Sequence, residues 1–92
     1  MSTYILFGEY SPESLKEISA ERTQKALQVV ADNGGSVEAG YALLGDVDLL
    51  IVADFPNNTQ AMKASLGLAK LLGVGFTTAP AVNMEEFDKL VG

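Results

Sequence analysis

Val37–Asp54, VEAGYALLGDVDLLIVAD, decides how this sequence is read: two extended runs meet at Gly45-Asp46, a dipeptide suited to a two-residue hairpin turn. Such a turn sets Leu44 opposite Val47, Leu43 opposite Asp48 and Tyr41 opposite Leu50. Side chains alternate between the faces of a sheet, so one face carries Glu38, Gly40, Ala42, Leu44, Val47, Leu49, Ile51 and Ala53. The other carries Val37, Ala39, Tyr41, Leu43, Asp48, Leu50, Val52 and Asp54. Small residues on one strand against branched ones on the other make the first face a seat for helices. The second is apolar in its middle and acidic at its edges. In water it forms an apolar patch of roughly several hundred Å², which monomers rarely carry. A second sheet packed about 10 Å away would bury it. The sequence therefore predicts a homodimer with its sheets face to face. A one-residue slip in register exchanges the two faces, but the need for two covers survives it.

Outward from this hairpin, Thr3–Tyr10 reads as a strand, and Ser11-Pro12-Glu13 combines an N-cap serine, a proline at the first helical position and an acid in the first turn. A short helix is predicted over Pro12–Ile18. Ser19 caps a second one over Ala20–Asp32, with Thr23, Ala26, Leu27, Val30 and Ala31 on one side; Asn33-Gly34-Gly35 stops it. After the hairpin, the asparagines of Phe55-Pro56-Asn57-Asn58 start a helix that runs to about Leu72 and ends at Gly73. Its predicted buried stripe is Met62, Ser65, Leu66, Ala69 and Leu72, and Gly67 in mid-helix marks a close approach to a neighbour. Val74–Val82 reads as the last strand, with Pro80 at a free edge or bulge. Asn83 and Glu86 form the cap of a short terminal helix. The order strand, helix, strand, strand, helix, strand is that of the ferredoxin-like βαββαβ fold. The predicted class is α+β, a single domain with a four-stranded antiparallel sheet and helices on one face.

Composition narrows the chemistry. Among 92 residues there is no cysteine and no histidine, so thiolate nucleophiles and the usual zinc, copper and haem ligands are missing. No cofactor or metal is expected. A net charge of −6 repels phosphate backbones, which argues against nucleic-acid binding. The start lacks a signal-peptide pattern and no apolar run approaches a membrane span. The reading is of a cytoplasmic protein that does not bind membranes. Serines and threonines have no histidine to activate them, and no glycine-rich phosphate loop is present.

The blocks TYILFGEYSPESLKEI, GGSVEAGYALLGDVDLLIVADFP and MEEFDKL resemble the GYD-domain proteins of bacteria and archaea, a resemblance that extends over nearly the whole chain. The motif that names the family, a glycine and an aromatic before an aspartate, falls on Gly45, Val47 and Asp48; Val47 stands where a tyrosine is usual. The resemblance implies a ferredoxin-like domain related to the dimeric α/β-barrel proteins, a group that includes ligand-sensing modules and cofactor-independent oxygenases. It implies no particular substrate.

Five residues are candidates for a site. Asp48, between Leu43 and Leu50 on the second face, is placed to act as an acid or base or to hold a polar ligand. The turn preference of aspartate favours a different role, bonding nearby backbone amides. Tyr41, with Tyr4 and Tyr10 of the first strand, can line an aromatic pocket, although aromatics at strand spacing are more often core or interface. Arg22, the only arginine, lies in the first turn of a helix, where its charge opposes the helix dipole. It can reach an anionic ligand, Glu21 or Asp46. The favoured reading is a ligand-binding or sensory homodimer, open to higher assembly, that encloses a small apolar or amphipathic molecule between sheet and helices, with the Tyr41 face as a wall. The alternatives are a cofactor-independent oxygenase using Asp48 and Tyr41, and a structural assembly protein.

Overall fold

A computed structural model describes residues Met1–Gly92. The elements follow the order β1 (Ser2–Tyr10), α1 (Pro12–Leu15), α2 (Ala20–Asp32), β2 (Ser36–Ala42), β3 (Leu49–Phe55), α3 (Asn58–Leu72), β4 (Val74–Ala81) and α4 (Met84–Val91). The strands form one sheet in the order β2-β3-β1-β4 with every neighbouring pair antiparallel. This is the ferredoxin-like arrangement, with two βαβ units interleaved.

Local chemistry sets the helix ends. Ser11, Ser19, Asn57 and Asn83 each accept a hydrogen bond on the side chain from a backbone N–H in the first turn that follows. Gly73, at φ 65°, closes α3 in the left-handed conformation. α1 stops at Leu15 rather than Ile18 because its last turn tightens: Lys16 N–H donates to Glu13 O at 3.2 Å and Glu17 N–H to Ser14 O at 3.1 Å.

The hairpin pairs Tyr41 with Leu50 and Ala42 with Leu49 in the expected register. Two departures matter. Beyond Ala42 only a Leu43 N–H bond to Asp48 O, at 2.8 Å, continues the contact, so residues 44–47 form a wider loop than a two-residue turn. At the other end a bulge between Val37 and Ala39 shifts the register, pairing Val37 with Ala53. Val37 therefore packs against the core on the helix side, and Glu38, which the uninterrupted register assigned to that side, stays in water. The bulge spares the fold a buried carboxylate.

The core lies between the sheet and α2–α3. Leu6, Phe55, Leu68 and Val74 are its largest fully buried side chains, and Tyr4 meets Phe55 edge to face with ring centroids 5.8 Å apart. On α3 the buried residues are Ala61, Ala64, Leu68 and Leu72, whereas Met62 and Leu66 are exposed. The stripe is rotated from the predicted one because the alanines let the helix sit close to the sheet. Gly67 does mark a close approach: a Cβ there would lie 3.0 Å from Val29 Cγ1 on α2. α2 is less seated than predicted. Only Val30 is buried, and Leu27 is exposed.

All 12 buried residues lie on the helix side, so the other face of the sheet is bare. Ile5 pairs with Val52 and Ala79, and Phe7 with Leu50 and Thr77. Tyr41 and Ala39 of β2 extend this apolar surface. At its margin Thr3 Oγ1 donates to Asp54 Oδ1 at 2.7 Å.

Candidate functional site

A cavity of about 280 Å³ lies between α2 and the β2–β3 hairpin, and 12 of its 16 lining residues are hydrophobic. Its origin is in the sequence of β2. Gly40 and Ala42 turn toward α2 with little bulk, and a Cβ at Gly40 would meet nothing within 4 Å. Ile51 and Leu49 floor the space from β3, Ala26, Leu27 and Val30 roof it from α2, and Leu68 and Leu72 close it from α3. The polar side chains on its helix-facing side are Tyr10, Ser19, Arg22 and Thr23. The small residues of β2 were read from sequence as room for helices. The N-terminal half of α2 does not descend into that room.

Three of the five candidate residues, Tyr10, Arg22 and Tyr41, line this cavity. Tyr41 is 58% exposed on the outermost strand, and its pairing with Leu50 turns its side chain to the bare face, so it borders the cavity only as the link between Gly40 and Ala42. Tyr4 and Asp48 do not line it. Tyr4 is a core residue on the helix side, and its hydroxyl donates to Asn58 Oδ1 at 2.6 Å; its position does not put it beside Tyr41. Asp48 joins β3 to β1: its N–H donates to Gly8 O at 2.9 Å, and its carboxylate accepts the Tyr10 N–H at 2.9 Å. That is the backbone-bonding role that turn chemistry favours. The cavity is on the opposite side of the sheet from the bare face where a wall was expected.

Arg22 reaches neither Glu21 nor Asp46. Nη1 donates to Ser14 O at 3.0 Å, and Nη2 donates to Ser14 Oγ at 3.2 Å and to Leu72 O. Leu72 is the last residue of α3, where carbonyl oxygens lack helical partners and a cation is favourable. So Arg22, at the unfavourable end of its own helix, is placed at the favourable end of another. Its side chain is 15% exposed, and its ion-pair partner is the largely solvated Glu17 at 4.0 Å. The cavity wall thus holds a cation whose carboxylate partner is largely solvated. Sequence reasoning could not reach this contact, since Leu72 is 50 residues away. It also missed Ile18, Leu27 and Ile51 as lining residues.

Comparison with curated proteins finds no match. Among solved structures, the fold is similar to the Mycobacterium tuberculosis leucine response regulatory protein (LrpA), with a TM-score of 0.64 and 10% sequence identity. The similarity covers 90% of this chain and 51% of that one. At this identity it speaks for the fold alone, and the chain spans about half the length of the matched protein. The GYD domain profile matches residues 4–91, nearly the whole sequence. The Gly45–Asp48 motif, the ferredoxin-like topology and that match lead to one conclusion: the chain belongs to the GYD domain family.

Proposed function

We propose that this protein is a small-molecule-binding, sensory module that works as a homodimer, with its ligand in the cavity beneath α2. The observation that carries the reading is an apolar cavity left open by Gly40 and edged by Tyr10 and Arg22. Pockets of this composition hold the apolar body of a ligand and orient it through a few polar groups. At about 30 Å³ per water-sized group, the volume of about 280 Å³ suits a molecule of roughly ten heavy atoms. An amphipathic compound with its polar end toward Arg22 fits this distribution best.

Self-association is supported by the bare sheet face, whose apolar middle invites a second sheet. The resemblance to a leucine response regulatory protein is in keeping with a sensory role. The oxygenase alternative relies on Asp48 and Tyr41 acting together, and the Asp48 carboxylate is engaged by Tyr10 N–H away from the cavity.

A thermal-shift screen of small amphipathic compounds tests the proposal. A ligand present at about 100 times its dissociation constant adds about 2.7 kcal/mol of stability, a rise in melting temperature of several degrees. Gly40→Leu fills open space, so it is expected to fold normally and to lose that rise. Equal shifts in both proteins would place binding elsewhere.

A further inference from the structure

α4 has no core to pack on. None of its residues is buried, yet Met84, Phe87, Leu90 and Val91 recur at helical spacing, with exposures of 72%, 48%, 75% and 70%. Glu85, Glu86, Asp88 and Lys89 fall between them. An eight-residue helix this short is marginal alone in water and gains its stability from packing an apolar side.

Its position relates it to the bare sheet face. A hollow at the end of the sheet is lined by Thr3, Ile5 and Ala81 together with Val82, Asn83 and Glu86 at the root of α4. Ile5 belongs to the bare face through its pairing with Val52 and Ala79. The helix therefore begins beside that face, with Glu86 at the hollow and its apolar residues exposed.

We infer that α4 is a dimerisation arm, docking the side formed by Met84, Phe87, Leu90 and Val91 on a second copy of this chain. This rests on the homodimer proposed above. Area supports it. With about 4.8 Å between strands and about 3.3 Å per residue, four strands of seven to nine residues present a face of roughly 500 Å². A stable interface buries about 800 Å² per partner, so the sheet face alone falls short. The four side chains of α4 supply the missing apolar area. Charge argues against a membrane as the occupant, and the area needed points to a second copy. α4 bears three acids and one lysine on a chain of net charge −6, which an anionic membrane repels. The neutral centre of the partner's bare face does not.

Sedimentation equilibrium on the full chain, the Phe87→Asp/Leu90→Asp variant and Ile5→Asp tests the arm, with circular dichroism as the check on folding. We expect a dimer for the natural sequence, and a dissociation constant raised at least about 30-fold in each variant, as for burying charge in place of apolar side chains. If Ile5→Asp dissociates the dimer while the α4 variant stays within about threefold of the natural chain, the arm is overturned and the sheet dimer stands. A monomeric natural chain overturns both. Dimers mixed from isotope-labelled and unlabelled natural chains give a readout independent of substitution: intermolecular nuclear Overhauser effects to the Leu90 and Val91 methyls are expected. Contacts of those methyls confined to their own chain would sink the proposal.

Discussion

The guanidinium of Arg22 donates to the carbonyl oxygen of Leu72, joining the start of α2 to the end of α3. Ser14 adds its own bond to the same carbonyl and accepts two more from Arg22. One side chain thereby fixes α1, α2 and α3 around one end of the cavity.

Replacing Arg22 should cost stability. Arg22→Ala removes charge-assisted bonds to partly buried oxygens, with an expected loss of about 2 kcal/mol in urea denaturation. Arg22→Lys should recover only part of it, because an ammonium cannot span the fork between Ser14 and Leu72. Full recovery by lysine would show that charge alone matters there.

The glycines separate into required and replaceable positions. A Cβ at Gly35 would lie 2.5 Å from Phe55 Cε1 and 2.9 Å from Asp54 O, and Phe55 is fully buried and cannot yield. Gly35→Ala is expected to cost about 2 kcal/mol or more. At Gly75 a Cβ meets nothing within 4 Å, so Gly75→Ala should add about 0.5 kcal/mol by restricting the unfolded chain. Melting temperatures that move in the same direction for both would contradict this packing.

Asp48 distinguishes scaffold from site. Asp48→Ala leaves the Tyr10 N–H without its carboxylate partner and is expected to destabilise by about 1–2 kcal/mol. Ligand-induced shifts, measured against the lowered baseline, should persist. Their loss with unchanged stability would restore Asp48 as a binding residue.

What the sequence revealed follows from how far each determinant reaches along the chain. Ser19, Asn57, Gly73 and Asn83 act within a few residues, so helix starts and stops were legible. The pairing of Tyr41 with Leu50 followed from alternation carried across a short loop. The bulge at Glu38 was not legible, because the uninterrupted register also alternates correctly and only the cost of burying a carboxylate decides. The rotation of α3 was missed for a related reason. Met62 and Leu66 are more hydrophobic than Ala61 and Ala64, but the closeness of helix and sheet selects for size. The cavity is a space that α2 leaves unfilled, and no local pattern records a space. Arg22 stands out in the sequence as the only arginine, and its partner Leu72 lies too far along the chain to name.

The proposed function depends most on where a ligand sits, and two-dimensional amide NMR during titration reads this directly. With a compound that raises the melting temperature, the largest shift changes are expected at Ala26, Leu27, Gly40 and Ile51, around the cavity. Phe7 and Ala79, on the bare face, should change little. Changes concentrated at Phe7 and Ala79, with the α2 amides unmoved, would contradict the cavity as the binding site.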